Sequence, residues 1–150
     1  MEKLSRMNLS LKKNQIMSIN THKYNVIVHE YAKRHFIKWF QKKYTGWWMK
    51  TLETICFMLE RADGLRNTDK AEIIYTSWKK HIIKGNFSVV WTHESPKTSG
   101  NRYIAFIDDE VCICEILLVY SKNDITGNHE TIWWQQLIKE NFPEIMRFFP

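Results

Sequence analysis

The spacing of apolar residues changes several times along the chain, and each change predicts an element. Tyr24 to Val28, YNVIV, is short and rich in strand formers, which predicts a first strand. The next stretch, HEYAKRHFIKWFQKKY, switches to three- and four-residue steps. Ala32, Phe36, Trp39 or Phe40, and Tyr44 then share one helical face. Thr45-Gly46 breaks the period, and Trp48, Leu52, Ile55 and Leu59 resume it. Two amphipathic helices meeting at a tight turn are expected, packed as a hairpin on a sheet.

DGLRNTDK is a polar loop with Asp63-Gly64 as its turn. AEIIYTSWKKHIIKG fits a strand or a short helix. NFSVVWTH alternates, with Phe87, Val89 and Trp91 on one face, which predicts a strand. RYIAFI predicts the next strand and Asp108-Asp109-Glu110 its turn. VCICEILLVYSK is long and mostly apolar, as a central strand covered on both sides would be. TIWWQQLIKENF predicts a helix that Pro143 interrupts, and EIMRFF one last turn. The order is strand, two helices, a three-stranded antiparallel meander and a helical tail, so the fold class is α+β.

Length places one domain on residues 21–150 of the 150-residue chain, ending in a helical extension. Residues 1–20 form a basic N-terminal segment, read as a flexible tail or as an over-long start ahead of Met17. They lack the apolar core and small-residue site of a secretory signal. No stretch is long and apolar enough for a bilayer, so no membrane partner is expected.

Hydrophobic residues make up 44% and aromatics 14% of the chain, enough for a packed core. The formal net charge of +6 favours an anionic partner without choosing among them. Three cysteines make no disulfide framework and fit a reducing, cytoplasmic setting. Cys112 and Cys114 lack further ligands at metal-binding spacing and read as small buried hydrophobes.

Candidate chemistry gathers where the meander strands should end. Arg102 opens one strand, Tyr120 and Lys122 end the next, and antiparallel pairing puts those ends side by side. Lys97 hangs from the loop at that end, and His93 ends the strand before it. A rim of like charges has no stability rationale of its own but suits a polyanion. The helix cations Lys33, Arg34, Lys38, Lys42 and Lys43, with Trp39, Trp47 and Trp48 among them, suit phosphate contacts and base stacking. An apolar Trp stripe at helical spacing is more often a core face. His29-Glu30 reads as a helix cap and entry charge. Gly-rich phosphate loops, the zinc deaminase signature and Gly-x-Ser-x-Gly are absent from the sequence.

The stretch SGNRYIAFIDDEVCICEILLVYSKND, Ser99 to Asp124, resembles the RelE/ParE superfamily of toxins, in particular its RelE/HigB-like members. The matching pattern is a Gly-x-Arg entering a strand, an acidic turn, and an apolar strand ending in a basic residue. HEYAKRHFIKWF resembles the family's opening, and the resemblance runs from about Tyr24 to Lys122. It implies a toxin held silent by a cognate antitoxin, and a ribosome-dependent mRNA endoribonuclease that needs no metal or small-molecule cofactor. It would put Arg102 on the phosphate, Lys122 in place of the family's terminal cation, and Lys97 or Lys84 as general base. Tyr120 or His93 would stack on a base or relay the proton. Lys84 and the helix cations would also bind RNA. The departures are Asn123 and Asp124 after Lys122, a long loop at Lys97, and a C-terminal extension without a clear catalytic residue, His129 and Arg147 being available. A ParE-like toxin that binds a gyrase-type target without cleavage, and a non-catalytic nucleic-acid-binding module, are the competing readings.

Overall fold

The computed structural model describes residues 23–125 and 129–150, so the predicted N-terminal tail and the alternative start at Met17 lie outside the described residues. Strand β1, Asn25–Val28, leads into a helix, α1 (30–43), that runs unbroken through Glu30–Ala32, Lys33–Ile37 and Lys38–Lys43. Its middle segment, Lys33–Ile37, is π-helical. His29 caps the start, its Nδ1 accepting from the Tyr31 N–H at 3.0 Å. Gly46, at φ +89°, makes the turn that Thr45-Gly46 predicted, and α2 follows as Trp48–Leu59. A short helix α3, Ala62–Leu65, precedes β2, Ala71–Ser77, and β3, Lys80–Asn86. Helical turn α4, Pro96–Ser99, opens onto β4, Asn101–Asp108, and then β5, Ile113–Ser121. Helices α5, Glu130–Asn141, and α6, Pro143–Met146, close the chain.

The sheet order is β1-β5-β4-β3-β2. Strands β2 to β5 form an antiparallel meander, and β1 lies parallel against β5. The α+β class and the central place of β5 are as expected; two details differ. The ambiguous AEIIYTSWKKHIIKG is a β-hairpin, with Ser77 opposite Lys80 across Trp78-Lys79. NFSVVWTH is not a strand, because β3 already occupies the side of β4 it would need. The Phe87 N–H makes one last bond to the Asn101 carbonyl, and the chain then leaves the sheet, with Trp91 at φ 71°. Its alternation is real but serves another surface: Phe87 and Val89 are buried against the helical hairpin, and Thr51 Oγ1 accepts from the Val90 N–H at 2.9 Å. Trp91 is exposed.

Both faces of the sheet are covered. Phe40, Trp48, Ile55 and Leu59 of α1–α2 pack on Ile83, Tyr103, Ala105, Ile107, Cys114, Ile116 and Val119. Trp134, Ile138, Phe142 and Ile145 of α5–α6 pack on Ile82, Ile104, Phe106, Leu117, Leu118 and Tyr120. A buried side chain of this size contributes roughly 2 kcal/mol. Four such anchors make α5–α6 a fixed layer rather than a lid.

One irregularity decides which face carries the site. Ile104 pairs with Leu118 while Ala105 pairs with Ile116, so Leu117 is a bulged residue. Leu117 and Leu118 therefore both join the α5 core, and the alternation reverses beyond them. Without the bulge, Tyr120 would share a face with Cys114 and Ile116; with it, Tyr120 turns to the α5 side.

Candidate functional site at the end of the sheet

The ends of β4 and β5 meet as the antiparallel order predicted, and the strand on the other side of β4 is β3 in place of NFSVVWTH. Arg102 lies directly opposite Tyr120 on β5 and opposite Asn86 on β3. The Lys122 N–H donates to the Gly100 carbonyl at 2.8 Å, which holds the exit of β5 beside the entry of β4. Lys97 sits on α4, whose Gly100 C-cap adopts φ +81°. Lys97, Arg102, Tyr120 and Lys122 are thus at one end of the sheet. His93 is exposed on the preceding loop, with no hydrogen bond or ion pair to these residues among those described.

Arg102 is not a free cation on that rim. Its side chain is buried, with the residue only 6% exposed. One guanidinium nitrogen, Nη1, donates to the Asn101 carbonyl at 2.9 Å and the Pro96 carbonyl at 3.4 Å; Nη2 donates to the Lys97 carbonyl at 3.2 Å. Carbonyls left over at the end of a short helical turn need donors, and Arg102 supplies them. The expected phosphate ligand is therefore engaged with the backbone of the loop that carries Lys97. That also answers why an arginine opens this strand: it fastens α4 to the sheet.

Glu130, the first residue of α5, went unnoticed as a partner in the sequence and is the hub of the α5 face. The Tyr120 hydroxyl donates to its Oε2 at 2.6 Å, and Lys84 Nζ lies 3.5 Å from the same oxygen. Burial, together with the Glu130 hydrogen bond, pushes the Tyr120 phenol far up, so it stays a neutral donor. Oε1 of Glu130 has no partner among the described residues, and the side chain keeps 23% exposure, so a further donor can reach it. An acid in a helix's first turn ordinarily reads as complement to the helix dipole, which hides this role.

The helix cations do not join this cluster. Lys33, Arg34, Lys38, Lys42 and Lys43 are exposed on α1, which packs on the other face of the sheet from α5. Lys43 Nζ stands 4.8 Å from the Trp39 ring centre, and Trp47 and Trp91, both exposed, approach at 5.5 Å. Trp48 is instead fully buried in the core. Among the described residues, no group of three His, Cys, Asp or Glu side chains is placed to hold a metal ion, and no helix is long and apolar enough to cross a membrane.

No family model and no curated protein matches the chain. Among solved structures, it is similar to the archaeal RelE–RelB complex from Pyrococcus horikoshii OT3. That similarity has a TM-score of 0.48 and 14% identity, and covers 68% of this chain and 98% of that one.

Proposed function

We propose that the chain is the toxin of a toxin–antitoxin pair and cleaves mRNA on the ribosome without a metal ion. The observation that carries this reading is the cluster of Tyr120 and Lys84 on Glu130, beside the end of β5 that carries Lys122; Lys97 stands at the same end of the sheet but lines a separate cleft with Thr51, Ile55 and Met58 of α2. The sequence resemblance over Ser99–Asp124 supports the same reading.

The chemistry needs a base, an acid and cations. Glu130 Oε1 takes the proton of a ribose 2′-hydroxyl. The 2′-oxygen bonds to phosphorus, and the bond from phosphorus to the 5′-oxygen breaks as that oxygen takes a proton from a rim ammonium. The products are a 2′,3′-cyclic phosphate and a 5′-hydroxyl. Exposed Lys122 offsets the charge growing on the phosphoryl oxygens, and Lys97 would hold a neighbouring phosphate of the strand. Arg102 acts as a positioning residue, because it holds the Lys97 segment by its carbonyls. Tyr120 and Lys84 orient Glu130. The antitoxin would lay an acidic or amphipathic segment over the exposed cations and tryptophans of α1 and the rim.

One observation favours a second reading. Arg102 and Lys84 already have partners within the protein, which suits a toxin or nucleic-acid module that only binds. Translation in a purified cell-free system, followed by primer extension on the mRNA, separates the two. The wild type should cut at codon positions, and Glu130→Gln should lower cleavage about 100-fold or more with an unchanged circular dichroism spectrum. Intact mRNA in that system, beside growth arrest when the chain is expressed in cells, would instead support action by binding.

A further inference from the structure

We propose that the cleft between α1, the end of β5 and the start of α5 binds a nucleobase, and that Asp124 makes it selective for guanine. The inference rests on the RNA reading above and names what that site reads. Strand β1 stops at Val28, opposite Ile116, whereas β5 runs on to Ser121. The last residues of β5 therefore lack a strand on that side, and a cleft of about 450 Å³ opens there. Small-ligand sites begin at about 300 Å³, so a nucleoside fits.

The walls are aromatic: Phe36 and Trp39 from α1, Tyr120 from β5 and Trp133 from α5. Trp133 meets Tyr120 edge-on at 4.9 Å and Phe36 edge-on at 6.3 Å, which fixes the Trp133 ring in the wall. Trp39, exposed at the mouth, offers an open ring face on which a base can stack. The π-helical segment Lys33–Ile37 supplies His35 and Phe36 to the cleft. Such segments are rare, and many occur at functional sites.

Asp124 also lines the cleft. An ionised carboxylate only accepts hydrogen bonds. Guanine presents N1–H and the N2 amino group side by side, matching both carboxylate oxygens. Adenine and cytosine offer one amino group beside an acceptor, and uracil one N–H between two carbonyls. An acid two residues after Lys122 is thus out of place for a phosphate and in place for a base. The turn Lys122–Asp124 carries both. Tyr120 joins the cleft to the cleavage chemistry, since its ring lines one and its hydroxyl bonds Glu130 in the other.

Calorimetric titration of the full chain with GMP, AMP, CMP and UMP tests this. GMP should bind about tenfold tighter than the others, and Asp124→Asn should remove that preference while leaving AMP unchanged. Trp39→Ala, at an exposed wall position, should weaken all four. Single-stranded pentanucleotides with a central G or A then tell a base within RNA from a free nucleotide: a G preference seen only with GMP would overturn selection within RNA. Equal binding of all four, no binding, or a G preference intact in Asp124→Asn would overturn the proposal. The titration needs neither ribosome nor cleavage. Intact mRNA beside a positive titration therefore fails the nuclease reading alone, and cleaved mRNA without base preference fails the cleft alone.

Discussion

At the scale of single residues, Arg102 separates position from role. Its place at the strand entry was legible from the turn chemistry and the antiparallel order. Its role was not, because a guanidinium suits a phosphate and a row of carbonyls equally well, and only the fold says which is nearer. One buried hydrogen bond to Asn101 and two part-buried ones to Pro96 and Lys97 make Arg102→Ala primarily a stability lesion. The expected loss is about 3 kcal/mol, or roughly 6–12 °C in Tm. Arg102→Lys keeps the charge but not the fork, and should lose most of the same amount. Thermal unfolding by circular dichroism decides it: if Arg102→Ala keeps the wild-type Tm yet abolishes activity, Arg102 is a phosphate ligand after all. Glu130 escaped notice for a related reason. Its link to Tyr120 exists only because the Leu117 bulge turns Tyr120 toward α5, and no sequence period encodes that reversal.

At the scale of elements, the helices were the most legible part, since their apolar spacing is long and their breaks at Gly46 and Pro143 are chemically marked. The β2–β3 hairpin was ambiguous because its turn, Trp78-Lys79, has neither Gly nor Asn; Trp78 takes φ 56° regardless. What holds the far end of the hairpin is a cross-element cluster on Asp109, in the β4–β5 turn. Arg66 donates to it through two nitrogens, each at 2.9 Å, Tyr24 at 2.6 Å, and His81 Nε2 lies 3.0 Å away. Burial pushes the Asp109 carboxyl up, but the hydrogen bonds from Arg66 and Tyr24 outweigh it and hold the group at about 2. A carboxyl with a folded pKa below its unfolded value, 3.8, stabilises the protein above pH 4 and loses that contribution as pH falls through 2. The size is about 2 kcal/mol at neutral pH. Urea unfolding of the wild type and Asp109→Asn should therefore differ by about that much at pH 7 and converge towards pH 2. A gap that stays constant across that range would mean the cluster is held by packing, not charge.

At the scale of the whole molecule, the C-terminal extension changes what the sheet can do. Read in sequence, it was a tail beyond the family resemblance; folded, it is the second layer of a sandwich. The signal was present in the apolar run of β5, which needs cover on both faces, but nothing local says that residues 130–146 provide it. Because α5–α6 closes the broad face, the proposed chemistry has only the sheet's end, where Glu130 enters, and the adjoining cleft open to it. That arrangement makes the extension indispensable rather than decorative. A chain ending at Ile125 would expose Ile82, Ile104, Phe106, Leu117 and Leu118, all buried on that face. At roughly 2 kcal/mol per large side chain, the uncovered surface comes to about 10 kcal/mol, as much as the whole net stability of a typical domain, about 5–15 kcal/mol. The truncated chain should elute as aggregate on size exclusion and lack the near-ultraviolet dichroism of its packed tryptophans. A monomeric, cooperatively unfolding truncation would show that α1, α2 and the sheet stand alone. In that case α5 would be removable cover over the sheet face, and Glu130 would leave the site with it.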